Sequence, residues 1–337
     1  MNIFSIPEAS AHEVYVLDSQ QISSAIEQPS VNPFTAITGQ EWQFLGWGVG
    51  MLALILIVLK FSLSPLFEKI FDPFLRKLKR FAPIIARVTF GFAVMFAGYF
   101  GDFFGPELPV SSSMPPGMTH AFGVTLMVIG ACIVIGFMTR IMAFVMAMVF
   151  ALAASTYHGY MLMYVNYLGE AILFVILGGG EWSLDRAQSG LRSLDDHFKY
   201  WGAGIEKYSF FILRVLFGVA VVTASFYAKF LHSNLAMDTV TNYHLTNYFP
   251  FTPLFLVLGA FIIEALAGIC FAIGFEIRFF SLFLTFFLTL SLLFFGEAVW
   301  PHLILFGITA TLFAHGYDRY TVEMALFQRK REGEPVL

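Results

Sequence analysis

The sequence predicts an all-α polytopic membrane protein: nine transmembrane helices, set out as two parallel-repeat four-helix bundles plus one extra N-terminal helix. Three observations carry this. The 337 residues are 58% hydrophobic and only 12% charged, where a soluble chain carries about a quarter charged residues. The apolar residues gather in blocks long enough to cross about 30 Å of hydrocarbon. The second half of the chain also repeats features of the first, in register.

Taken in order, residues 1–42 hold no Lys or Arg, only Glu8, Glu13, Asp18, Glu27 and Glu41, and read as an extracytoplasmic tail. Ala9 and Ala11 have the small-x-small spacing of a leader cleavage site, although no basic and apolar region precedes them. Cleavage after Ala11 would leave His12 as a free amino terminus able to bind copper; the other reading is a disordered acidic tail. Nine apolar blocks follow, at 43–60, 84–104, 120–138, 141–157, 163–180, 209–230, 253–274, 279–295 and 301–316. Barrel strands would be about half that length and would alternate, so the blocks are helices. The first block is the extra helix, and 61–83 is a basic linker. The two four-helix units are 84–186 and 211–319, joined by a polar linker at 187–210 and followed by a tail at 320–337.

The 19 Lys and Arg residues orient the chain. Lys69, Arg76, Lys77, Lys79 and Arg80 fall on one side with Arg140, Arg186, Arg192, Lys199, Lys207, Arg278 and Arg319, while Lys229 falls near the other. The expected topology is N-terminus outside and C-terminus cytoplasmic, multi-pass in a prokaryotic plasma membrane, with the lipid bilayer as the main partner and no nucleic acid.

The repeat is direct. "RVTFGFAVMFAGYFGDFF" from Arg87 aligns with "RVLFGVAVVTASFYAKFL" from Arg214, and "GACIVIGFMTR" from Gly130 with "GICFAIGFEIR" from Gly268. Asp185-Arg186 aligns with Asp318-Arg319, and Cys132 with Cys270. Both units run in the same sense, which makes them parallel repeats about an axis near the membrane normal.

These motifs resemble the DoxX-like family of four-helix membrane proteins: Arg87/Gly91 and Arg214/Gly218 at the heads of the first helices, Lys229, Glu264/Gly268, and the closing "GGGEWSLDR" with its reduced counterpart "AHGYDR". The chain departs from the pattern where Asp102 replaces the first unit's Lys and Leu126 its Glu. The resemblance implies a redox setting, since the family includes the DoxD subunit of a thiosulfate:quinone oxidoreductase. Quinone or haem is the cofactor class it brings to mind, and a redox or extracytoplasmic protein the partner.

Ionisable groups at membrane depth are costly and are functional candidates by default. Glu170, Glu264 and His302 form the candidate intramembrane proton or ligand site. The plain alternative for each is a hydrogen bond that fixes helix packing. Asp102 and Lys229 occupy equivalent positions and are expected to pair between the units. Arg87 and Arg214 are expected to snorkel to phosphates. Metal ligation would fall to His12 or His158, yet no His pair has metal-ligand spacing, and interfacial His needs no metal. Cys132 and Cys270 read as packing groups rather than redox thiols. Three function classes stay open: a membrane subunit beside quinone chemistry, a transporter with its site at the repeat interface, and a scaffold for an outer partner. No Walker, Rossmann, nucleophile-elbow or zinc motif occurs.

Overall fold

The computed structural model describes residues 19–188 and 204–327, together with Leu17, Gly190, Arg192 and Asp196. His12, Ala9 and Ala11 lie outside the described residues. All regular structure among the described residues is helical. Seven helical segments are long and apolar enough to cross a membrane: Glu41–Ser62, Ala82–Phe100, Pro116–Ile135, Thr139–Leu177, Glu206–Leu231, Pro253–Ile273 and Ile277–Phe295. The chain is a multi-pass membrane protein.

The elements are α1 (Ser19–Glu27), α2 (Glu41–Ser62), α3 (Pro65–Lys79), α4 (Ala82–Phe100), α5 (Pro116–Ile135), α6 (Thr139–Tyr157), α7 (Val165–Leu177) and α8 (Leu184–Ala187). After the linker come α9 (Ser209–Phe226), α10 (Ser233–Asn242), α11 (Pro253–Ile273), α12 (Ile277–Phe295), α13 (Leu303–His315) and α14 (Val322–Phe327). The segment Thr139–Leu177 is therefore two helices broken at His158, whose φ of 47° turns the chain, with the 3₁₀ stretch His158–Tyr164 between them. α7 and α13 have 13 residues each, about 20 Å of rise, because each is preceded by 3₁₀ turns instead of regular helix.

Helices α4 and α5 pack backbone to backbone. A Cβ at Gly91 would lie 2.7 Å from the Gly130 carbonyl oxygen, so only glycine permits that crossing. Gly218 and Gly268 make the matching approach between α9 and α11. α7 lies on α9, and α13 lies on α4, where Gly307 gives room to Thr89.

The tight turns Gly136–Met138 and Gly274–Glu276 are alike. Each has a left-handed glycine followed two residues later by a non-glycine at φ 48°, Met138 or Glu276, a conformation costing on the order of 1–2 kcal/mol. Closing segments offset that cost. Asp185 accepts from Met138 N at 2.6 Å, Thr139 N at 2.9 Å and Thr139 Oγ1 at 2.7 Å. In the second half Glu323, not Asp318, takes this part, accepting from Glu276 N at 2.6 Å.

Arg87 and Arg214 do not snorkel. They are 4% and 2% exposed, because carbonyls inside the fold satisfy them. Arg87 donates to Gly179 O and to Trp182 O, and Arg214 to Phe271 O at 2.6 Å and Ala272 O at 2.9 Å. Arg140 donates to Val175 O and Ile176 O, unpaired carbonyls at the end of α7. The segment "LGGGEWSLDR" is thus bound into the turn beside it. Ser183 turns its hydroxyl back to Gly180 O at 2.7 Å rather than capping α8.

The described part of the N-terminal tail is not disordered. Ser233 Oγ donates to Val31 O at 2.7 Å and accepts from Val31 N at 3.0 Å, and Asn234 Nδ2 donates to Pro29 O at 3.2 Å. Phe34 packs edge-on against Phe230 and Phe261. Residues 61–83, read as a linker, contain α3.

Candidate functional site

The first half fills its loop end with aromatic rings. Phe104 packs on Phe150, Tyr164 and Tyr167, and Phe103 on Phe122 and Tyr157. Beside these rings the protein encloses a cavity of about 740 Å³. Its walls come from α9, α11, α12 and α13, with α7 and the 101–115 loop contributed by the first half and α10 with Tyr248 and Phe249 at the loop end. Ligand sites of this volume and apolar character hold molecules of drug or cofactor size.

Two polar pairs interrupt the apolar wall. Lys229 stands on the π-helical turn Tyr227–Leu231 that ends α9, and its Nζ is 2.9 Å from Glu264 Oε2 on α11. Glu264 is therefore neutralised in place by the cation that the sequence assigns to Asp102. The reason is geometric: α9 packs directly on α11, while Asp102 is held in its own loop. There the chain folds back on itself, with Asp102 bridged to Pro109 and Phe103 N donating to Leu108 O at 2.9 Å.

The second pair is His302 and Glu297. His302 Nδ1 lies 3.1 Å from Ala298 O, and Nε2 lies 3.1 Å from Glu297 Oε2. A carbonyl only accepts, so Nδ1 carries hydrogen; a contact from Nε2 to the carboxyl then needs one further proton between them. Ser291 Oγ donates to Glu297 Oε1 at 2.9 Å, which fixes that carboxyl. Both side chains are nearly buried, at 5% and 7% exposure. The arrangement sets a carboxyl and an imidazole in contact at the edge of an apolar chamber.

Of the expected site residues, the structure brings Glu264, Lys229 and His302 to one cavity. Glu170 is fully buried on α7, one turn beyond the cavity-lining Asn166 and Tyr167, and neither carboxyl oxygen has a hydrogen-bond partner. His158 is exposed at the end of α6, away from the cavity, and no group of three metal-binding side chains occurs among the described residues.

Two residues were missed. Glu297 was visible as the carboxylate between the last two apolar blocks, five positions before His302. Glu107 lies in "GPELPV", fully buried, and lines the cavity from the first half. It also raises Asp102, just past the end of α4: burial first, and the Glu107 carboxyl second, push that group up to about 7. Neither protein-family models, curated proteins nor solved structures give a match to this chain.

Proposed function

We propose that this chain is a DoxX-like integral membrane protein that binds a quinone-type lipophilic molecule in the second-half cavity and handles its protons there. The observation that carries the reading is the cavity of about 740 Å³ with two polar pairs, Lys229–Glu264 and Glu297–His302, set in an apolar wall. An apolar ring and tail fit such a wall. A quinone oxygen needs a hydrogen-bond donor when oxidised and a proton acceptor when it is a quinol, and a shared-proton carboxyl–imidazole pair supplies both. The electrons pass to or from a redox partner.

In this reading α7 and α13 complete nine crossings, and 84–186 and 211–319 are parallel repeats. The reciprocal packing of α7 on α9 and α13 on α4, the paired glycine crossings and the matched Arg87 and Arg214 support it. The end bearing α3, Arg140 and Arg278 faces the cytoplasm of a prokaryotic plasma membrane. Organic extraction of the purified protein, with quinone and haem analysis, tests the proposal. Quinone is expected, and a protein that retains none and binds no short-chain quinone analogue refutes it. The cavity's place between the two halves also favours transport of a small molecule, which pH-dependent flux in proteoliposomes would reveal.

A further inference from the structure

Helix α3 has three faces, and two of them carry exposed side chains among the described residues. Leu75 is 4% exposed, and Lys79 Nζ donates to Tyr317 O at 3.1 Å, so this side rests on the second half beside α13. At about 100° per residue, Leu66, Ile70 and Phe74 follow one another along a second stripe with Phe71 at its edge. All four are exposed, Leu66 at 66% and Phe74 at 60%. The third side carries Lys69, Arg76 and Arg80, while Lys77 lies in line with Leu66 and Ile70 in the last turn; all four cations are exposed. One acidic neighbour offsets them in part: Asp72 Oδ2 lies 2.5 Å from Arg76 Nη2.

The neighbouring elements decide what covers the apolar stripe. α2 ends at Ser62 and α4 begins at Ala82, and both are long and apolar enough to cross the membrane. Only a few residues separate α3 from either. The helix is therefore tethered at both ends to the surface where two membrane-crossing helices stop. It cannot stand off into water by more than those short joints allow. At that level the material beside an apolar stripe is acyl chain, and beside a basic stripe it is phosphate.

We propose that α3 is an in-plane interfacial helix whose basic face gathers anionic phospholipid headgroups while Leu66, Ile70, Phe71 and Phe74 enter the acyl boundary. The division of an apolar face from a cationic one is what lipid-surface helices require. Clustered Lys and Arg next to a membrane helix attract anionic lipid, each by about fivefold, the equivalent of about 1 kcal/mol. Because α3 also touches the segment after α13 through Lys79 and Tyr317, the headgroup layer bears on the second half, which contains the cavity.

The test uses the full chain with Cys132→Ala and Cys270→Ala, reconstituted in phosphatidylcholine vesicles containing a minority of phosphatidylglycerol. A nitroxide at Phe74→Cys is expected to be relaxed by oxygen and shielded from a water-soluble nickel chelate, and one at Arg76→Cys to show the reverse. A Phe74 nitroxide open to the chelate overturns the proposal and points to a soluble protein on that face instead. In the second arm, spin-labelled phosphatidylglycerol is compared with spin-labelled phosphatidylcholine for association with the protein. Lys69→Gln, Arg76→Gln, Lys77→Gln and Arg80→Gln together are expected to lower the preference for the anionic lipid at least fivefold. An unchanged preference overturns it.

Discussion

Replacing Glu264 by Gln removes the carboxylate that Lys229 Nζ meets at 2.9 Å. The two side chains are 19% and 17% exposed, so water screens the pair only in part. Breaking a buried pair by removing one partner costs about 3–5 kcal/mol, and the residual exposure lowers this to roughly 2–4 kcal/mol. Lys229→Met should cost about as much, since it strands Glu264. The double variant removes both members of the pair and should cost about 0–2 kcal/mol beyond wild type, because a pair replaced by uncharged groups is often near neutral. The coupling between the two sites is then about 5 kcal/mol at the middle of these ranges. Reversible unfolding in mixed micelles of detergent and denaturing surfactant, followed by tryptophan fluorescence, measures all four proteins. Additive effects of the two substitutions, or single substitutions costing under about 0.5 kcal/mol, would refute the reasoning that the cavity wall is held by this pair.

Asp185→Ala should destabilise the first half by about 3–5 kcal/mol, because it removes three short hydrogen bonds to a buried carboxylate and orphans two backbone N–H groups at the strained Met138 turn. Asn, which keeps one acceptor, should recover part of this, and the same unfolding assay reads both. Asp102 supplies a pH dependence. Its carboxyl is held up to about 7 by burial and by Glu107, so the folded state binds its proton more tightly than the unfolded chain does. The stabilisation is fully present below the ordinary carboxylate range and is lost as pH rises through about 7. Thermal midpoints of the wild type should therefore fall between about pH 5 and about pH 8.5, and those of Asp102→Asn should fall less; equal slopes would contradict the assignment.

Much of the fold was legible because membrane helices are set by length and hydropathy, which are local properties. The glycine pairs and the matched Arg87 and Arg214 also appeared in the repeat. What the repeat could not show is which partner each group finds. Arg87 looked like a terminal cation among phosphates, but the closing segment folds back and offers it carbonyls. Lys229 and Asp102 are equivalent in sequence, yet that equivalence does not reveal that Lys229 meets Glu264. The lock of the second turn moved from Asp318 to Glu323, a shift no alignment of "SLDR" with "GYDR" reveals. Phe104 packs on Tyr164 and Tyr167 in the first half, and those two tyrosines face the alanines and the Lys229–Glu264 pair across the cavity. Glu297 and Glu107 sit in loops, outside the apolar blocks where intramembrane charge was sought.

If a lipophilic ligand resides in the second-half cavity, filling that cavity must exclude it. Ala224 and Ala260 line it from α9 and α11, and a cavity of about 740 Å³ accepts a phenyl ring at either position without forcing its neighbours apart. The direct measurement is the quinone recovered per protein from wild type and from Ala224→Phe with Ala260→Phe, purified side by side from the same membranes. Quinone is expected in the wild type and little or none in the filled variant, with the thermal midpoint of the ligand-stripped proteins unchanged. Equal quinone content in both proteins would contradict it.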